Sequence, residues 1–512
     1  QRDVLEALDP ALADQLGEAV ALDANWLLVG APSGLPAGQG AGRVLAYRRQ
    51  AGEWLLEQEL VPGDPSVGAR FGSTLAVDDN LAVVGAPFDD EAGQDAGAVY
   101  VWVRLGDAWF NLDKLTASDA APGDGFGDAV AVSGDRIVVG ARRHDALGPN
   151  AGAAYVYENP SGGASWQEVA KLQPSDGAPG DDFGVAVAVA GDVLVVGSDL
   201  ADDGGVSAGV VHVFRHNGAQ FVEEAKLIPG DRTPLAFFGR RLALDGGCLA
   251  VGAPGQQVDG DSGLVDGGAV YVFDEQGPGS WMQTDRLVAL EPAAGDLFGS
   301  SLALGDGVLL AGATLAERGL VNAGSVHVFR EDGGAWAHQR QLFASDAAAG
   351  DNFGVSVAVD SPFAVAGARF RGVSVGTAEA AYVFRGTADL SVWSDLGHAL
   401  AGSLGEPCVF GEGGLEPNSA VLFSLNGASP GSLTGLVLGA AQADLPFKGG
   451  TLVPDPLVVL FGLPTLDGQL DLVFSWPAGL PSGLEVYWQH MIVDSGGPVG
   501  FAGSNALVAV TP

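Results

Sequence analysis

Seven glycines set the terms on which this chain can fold. Gly17, Gly72, Gly127, Gly184, Gly239, Gly299 and Gly354 follow one another at intervals of 55, 55, 57, 55, 60 and 55 residues. Phe precedes the glycine in six copies and Leu16 does so in the first. Thirteen residues later each copy has a second glycine: Gly30, Gly85, Gly140, Gly197, Gly252, Gly312 and Gly367. Two glycines kept in step seven times mark an array of one supersecondary unit.

Each copy reads as four short strands. An alternating run such as Val185-Ala186-Val187-Ala188-Val189 follows the first glycine. A tight turn, Gly191-Asp192 or Ser133-Gly134-Asp135, leads to an apolar run such as Val193-Leu194-Val195-Val196. A longer loop precedes the third run, as in Val270-Tyr271-Val272-Phe273, and a fourth begins near an aromatic and ends near a Leu, as from Trp109 to Leu115. β-Branched and aromatic runs between Gly/Asp turns are strand signals, and no amphipathic helical pattern of comparable length competes. Four strands per unit of this length predict an all-β fold, a β-propeller of seven blades.

The ends of the array predict how the ring closes. Copies one to six are each followed by a fourth strand, whereas copy seven runs from Phe384 into Gly386-Thr387-Ala388 without one. The missing strand lies at the other end, where Val4-Leu5-Glu6-Ala7-Leu8-Asp9-Pro10 aligns with residues 222–229. The N-terminal strand is therefore expected to complete blade seven, so that no end blade exposes an apolar face.

Composition bounds the partners. With 24 basic and 63 acidic residues the formal charge is −39. Nucleic acid and anionic membrane would repel such a polyanion, so neither is expected as a partner, and divalent cations would be attracted. No apolar run has the length of a membrane span, so no membrane insertion is expected. A chain starting at Gln1 without Met reads as a processed one, secreted to the exterior or the cell surface. Cys248 and Cys408 are too few for a disulfide framework; two separate thiols or one interdomain bridge are the alternatives.

In such a ring the connections between blades share a face with the loops joining second and third strands. The connections repeat Asp: Asp119 and Asp124, Asp176 with Asp181 and Asp182, Asp346 and Asp351. Asp starts turns and accepts backbone N–H groups; the functional alternative is an acidic face for cations or a basic ligand. Phe126-Gly127 with Gly85-Ala86-Pro87, recurring seven times, resembles the FG-GAP repeat of integrin alpha-subunit propellers and of many secreted bacterial proteins. The resemblance spans residues 1–388. Propellers of the integrin type often hold calcium in the hairpin between first and second strands. Here those hairpins, Ser133-Gly134-Asp135 or Asp245-Gly246-Gly247, are too short to encircle an ion. One other loop has ligand spacing: Asp259, Asp261 and Asp266 stand at relative positions 1, 3 and 8 of a Gly-containing stretch and are candidate calcium ligands.

Residues 389–512 lack the repeat. From Ser391 onward one basic residue, Lys448, faces ten acidic ones, a lower charge density than in the whole chain. Strand-like runs separated by Pro-Gly turns predict an Ig-like or jelly-roll β-sandwich. A weakly charged surface of this kind often marks a contact site.

Chemistry is sparse. Gly372-Val373-Ser374-Val375-Gly376 matches a nucleophile motif by letters but lies in a loop of blade seven, without the strand–turn–helix elbow the motif needs. Seven histidines are scattered, and His212 and His327 hold equivalent third-strand positions. Trp54, Trp109, Trp166, Trp281 and Trp336 suggest a sugar-stacking ladder, yet their single repeat position favours packing between blades. The expectation is a non-enzymatic extracellular structural or adhesive protein that assembles head to tail into a fibre or layer through sandwich–propeller contacts. A glycan- or protein-binding module using the acidic loop face is the alternative, and a hydrolase with a loop-built site the third.

Overall fold

The computed structural model describes residues 3–6, 14–34, 40–50, 53–64, 66–159, 163, 165–258, 266–317, 320–344, 346–369 and 379–385, and beyond these the backbone of strands between 393 and 510. The chain divides into two compact units, Gln1–Arg385 and Gly386–Pro512. Among the described residues every regular element is a strand.

The first unit consists of seven four-stranded antiparallel sheets. Six are sequential meanders, such as Thr74–Asp78, Leu81–Ala86, Ala98–Leu105 and Ala108–Leu115 in blade two. The seventh joins Val357–Asp360, Phe363–Ala368 and Ala380–Arg385 to Asp3–Glu6, which takes the outer place. Val4 lies opposite Tyr382 and Leu5 opposite Ala381, so the N-terminal strand closes the ring as the sequence predicts. One apolar cluster then runs through the seam, combining Leu5, Phe363, Val365 and Val383 with Leu16, Leu27, Val29 and Leu45 of blade one.

The repeated glycines hold the blades against one another. A Cβ on Gly140 would fall on the carbonyl oxygen of Gly184 in the next blade, and the same conflict pairs Gly30 with Gly72, Gly85 with Gly127 and Gly367 with Gly17. The second glycine of one blade thus lies under the first glycine of the next, at a distance no side chain permits. The Phe before the first glycine is fully buried in all six copies, as is Leu16. It meets the third strand edge-on, Phe71 on Tyr100 at 5.3 Å and Phe353 on Tyr382 at 5.4 Å. In blade one both partners are aliphatic, Leu16 with Leu45 in the same cluster.

The tryptophans of the outer strand pack between blades. Trp54 stands edge-on to Phe363 of blade seven at 5.8 Å, and Trp109 to Trp26 of blade one at 5.7 Å. Trp281 and Trp336 are half-buried against their clusters. These rings join neighbouring sheets and form no ladder in water. Cys248 starts the second strand of blade five half-buried, its thiol pushed up to about 12 by burial and by Asp274.

The second unit has a five-stranded sheet in the order Trp393–Gly397, Phe501–Val510, Glu485–Val493, Leu433–Gly439, Val458–Pro464. Three further strands, Cys408–Glu412, Ala420–Asn426 and Leu470–Ser475, form another sheet, and Gln442–Phe447 pairs with Gly450–Pro454. The expected sandwich concerns how these sheets pack and lies outside the described residues.

Candidate functional site

The two ends of the propeller axis differ in charge. First strands of adjacent blades touch, so they line the axis. At one end each hairpin between first and second strands carries an acid, from Asp23 and Asp78 to Asp306 and Asp360. Burial raises the Asp23 carboxyl, and Asp360, Asp79 and Asp78 add to the effect. The opposite end is the loop face, where connections between blades meet the loops after the second strands.

The repeated acids of that face are already engaged. Asp119 accepts the Tyr155 hydroxyl at 2.7 Å and the Lys171 ammonium at 2.6 Å. Partial burial works against its ionisation, yet Lys171 and Tyr155 prevail and hold the carboxyl below its usual range. Asp64 takes Tyr100 and Lys114 in the same way, and Asp346 takes Tyr382 at 2.9 Å. The later acid of each connection builds a turn. Asp124 accepts the Ala121 N–H, Asp181 that of Ala178, Asp296 that of Ala293 and Asp351 that of Ala348, at 2.6–2.9 Å. These acids therefore do structural work, the first alternative weighed above.

Asp259 and Asp261 lie outside the described residues. Asp266 has φ +58°, as Asp95 has +52° and Asn150 +51° at the equivalent place, each preceding an Ala-Gly or Gly-Gly pair. Asp and Asn tolerate that left-handed backbone. Among the described residues, Asp176, His212 and Glu223 bring ligand atoms within 4.8 Å of one another. There the Lys226 ammonium pairs with Asp176, and His212 Nδ1 is 2.9 Å from Glu223. A protein cation already stands where a metal would. The Ser374 motif lies outside the described residues.

What the sequence reading missed is the mouth of the channel on the loop face. The residue before each Phe-Gly or Leu-Gly pair has positive φ in all seven blades: Gln15, Arg70, Gly125, Asp182, Phe237, Leu297 and Asn352. Such backbone is strained for bulky Phe237 and Leu297 and persists only when its surroundings fix it. Around this ring Arg142 meets Asp128 at 3.0 Å and Asp182 at 3.6 Å, and Arg240 meets buried Asp199 at 2.8 Å. Arg369 pairs with Glu18 at 2.9 Å across the closing seam. Burial pushes Asp182 up to about 6 despite Arg142, with Asp199 contributing. Arg70 and Arg143 lie over Phe88 at 5.8 and 5.7 Å. Arg241, exposed on the first strand of blade five, is held down to about 10 by desolvation and by Arg240. It lies opposite Gly252 at the loop-face end of a strand that lines the axis, and it also feels Asp199, Glu18 and Arg142 from blades four, one and three.

A family model described as FG-GAP repeat matches residues 54–102, 109–157, 166–214, 221–273, 281–329 and 336–384, together more than half of the chain. Each match starts at an outer strand and ends in the third strand of the next blade, so the sequence unit is offset by one strand from the structural one. The Saccharomyces cerevisiae protein Sqt1, known from a crystal structure, is similar at a TM-score of 0.41 and 11% identity, over 82% of this chain and 96% of that one.

Proposed function

The chain belongs to the FG-GAP repeat family, and we propose that it is a non-catalytic binding module of the cell exterior or surface, with the loop face as its contact surface. The observation that carries this reading is where large apolar side chains meet water. Among the described residues fourteen large apolar side chains are exposed: Val67, Leu147, Val206, Leu235, Leu290, Leu320 and Val321 lie in loops of that face, and the other seven, such as Leu105 and Met282, are spread over third and outer strands of several blades. Val67 and Val206 are 66% and 64% exposed. The seven on the loop face are interspersed with charge, which suits a protein–protein or ligand contact. The test is a triple variant, Val206→Asp, Leu290→Asp and Val321→Asp, assayed on immobilised extracellular glycans and proteins. Binding lost in the variant, with its unfolding temperature retained, supports the reading; undiminished binding, or none by the wild type, overturns it.

Self-assembly is a second reading, favoured by the axial charge difference. The hairpin end is ringed by carboxylates and the loop-face mouth by arginines, so one copy's hairpin end complements another's mouth. Such a contact is heterologous and propagates unless its rotation closes, giving a head-to-tail fibre or layer of adhesive character. Sedimentation at rising concentration, with and without calcium, reads it: polymers that dissolve in high salt support it, and monomers throughout refute it.

A further inference from the structure

Six arginines, Arg70, Arg142, Arg143, Arg240, Arg241 and Arg369, gather at the loop-face mouth from blades two, three, five and seven. Four carboxylates stand among them: Glu18, Asp128, Asp182 and Asp199. Among these described residues the arginines outnumber the carboxylates, although the chain's total charge is −39.

The carboxylates engage Arg142, Arg240 and Arg369. Arg70, Arg143 and Arg241 have no ion-pair partner among the described residues. Arg70 donates to Gln15 at 3.3 Å, while its buried Nε has no acceptor. Arg241 donates to the Arg240 carbonyl at 2.8 Å. A buried guanidinium donor without an acceptor is costly, and an arriving oxyanion would satisfy it with charge-assisted bonds. Arg suits this because its planar fork takes carboxylate or sulfate in a bidentate manner.

We propose that this mouth binds the terminal oxyanion of a saccharide, a uronate-type carboxylate or a sulfate ester, held by Arg70, Arg143 and Arg241. The proposal rests on the loop face being the contact face and names its ligand. Two features narrow the class. Half-buried Phe88 and Phe237 stand among the guanidinium groups and offer apolar edges beside the charge, as a sugar ring with its C–H groups requires. The negative surface beyond the mouth repels a long polyanion, so one terminal acidic unit is favoured over an acidic polymer.

The experiment titrates the full chain with methyl glucuronide, using methyl glucoside as the uncharged control and tetraglutamate as the acidic peptide. The expected result is saturable binding of the glucuronide, absent for the glucoside, and weakened tenfold or more by Arg241→Gln and by Arg143→Gln. Arg241→Lys should keep part of the affinity, and thermal unfolding should show each variant folded. The Val206→Asp, Leu290→Asp, Val321→Asp variant should still bind the glucuronide, so failure of the mouth and failure of the apolar face read differently. Equal affinity for the glucoside, tighter binding of tetraglutamate, no binding, or folded arginine variants that bind as the wild type does would each overturn the proposal.

Discussion

The carboxylate of Glu379 accepts the backbone N–H of Leu16 at 2.8 Å, across the seam where blade seven meets blade one. Elsewhere the residue in the place of Glu379 is glycine. Gly42, Gly97, Gly152, Gly268 and Gly324 each form a parallel bridge with the Phe that opens the next blade. Gly209 holds the sixth place, and none of the six seams leaves room for a Cβ, since one on Gly97 or Gly209 would fall on a Phe carbonyl. At the seventh a side chain replaces the backbone contact, and the seam acquires a group that titrates.

The seam should weaken as pH rises. Burial pushes Glu379 up to about 7, against the N–H groups of Leu16 and Gln15 and aided by Asp14 and Glu18. A carboxyl raised in the folded state favours folding below its unfolded value near 4.5, and that advantage is lost as pH climbs through 7. Thermal unfolding from pH 4.5 to 8 should show a decline that Glu379→Gln flattens. Its size should be on the order of 1 kcal/mol, allowing for the water that still reaches the site.

Blade six should show the opposite slope. Burial lowers His338, whose Nε2 lies 3.1 Å from His327 Nδ1. A histidine depressed on folding stabilises the fold above its unfolded value near 6.5, and that contribution is lost as pH falls through the folded value. Unfolding temperatures of His338→Gln should fall less than those of the wild type between pH 7 and 5.

Substituting a second glycine should test the close approach between blades. Gly140→Ala places a methyl group on the Gly184 carbonyl, so backbone must move on both sides. Denaturant titration should show a loss of about 3 kcal/mol or more, beyond ordinary overpacking. Gly106→Ala provides the control, since no atom lies within 4 Å of its added Cβ, although φ +67° makes it mildly strained.

The lysines of the loop face should differ in consequence. Lys114 is 3.2 Å from Asp89, whose side chain is fully buried, whereas Lys171 and Lys226 neutralise half-exposed Asp119 and Asp176. Lys114→Met should cost about 2–3 kcal/mol because it strands a buried charge, and Lys171→Met about 1 kcal/mol or less. Chemical denaturation of the pair decides it; equal losses would mean that the burial of Asp89 is immaterial.

The ring was legible because its constraints are local and repeated. Gly30 and Gly72 each recur seven times, and the strand at Val4 fills the one gap in the series. The Ala-Gly pair at Ala96-Gly97 was a nearly regular signal, broken at Gly267 and Glu379, and its meaning became clear only when its contact with Phe126 was seen. The acids of the connections were harder, since Asp119 and Asp124 look alike in sequence although one pairs with Lys171 and the other builds a turn. The mouth was hidden because Arg70, Arg143 and Arg241 are far apart in the chain and no two share a repeat position. Arg241 acquires its neighbours Glu18 and Arg142 only once the circle is closed.

The pairing of Val4 with Tyr382 also shapes how the protein is born. During synthesis the strand Asp3–Glu6 must wait for its partner in the seventh blade, since the six intervening blades come first along the chain. Until then both edges that meet in the seam lack their partner, the kind of open strand edge that invites wrong pairing. A ribosome that stalls before residue 380 leaves an arc that cannot shut.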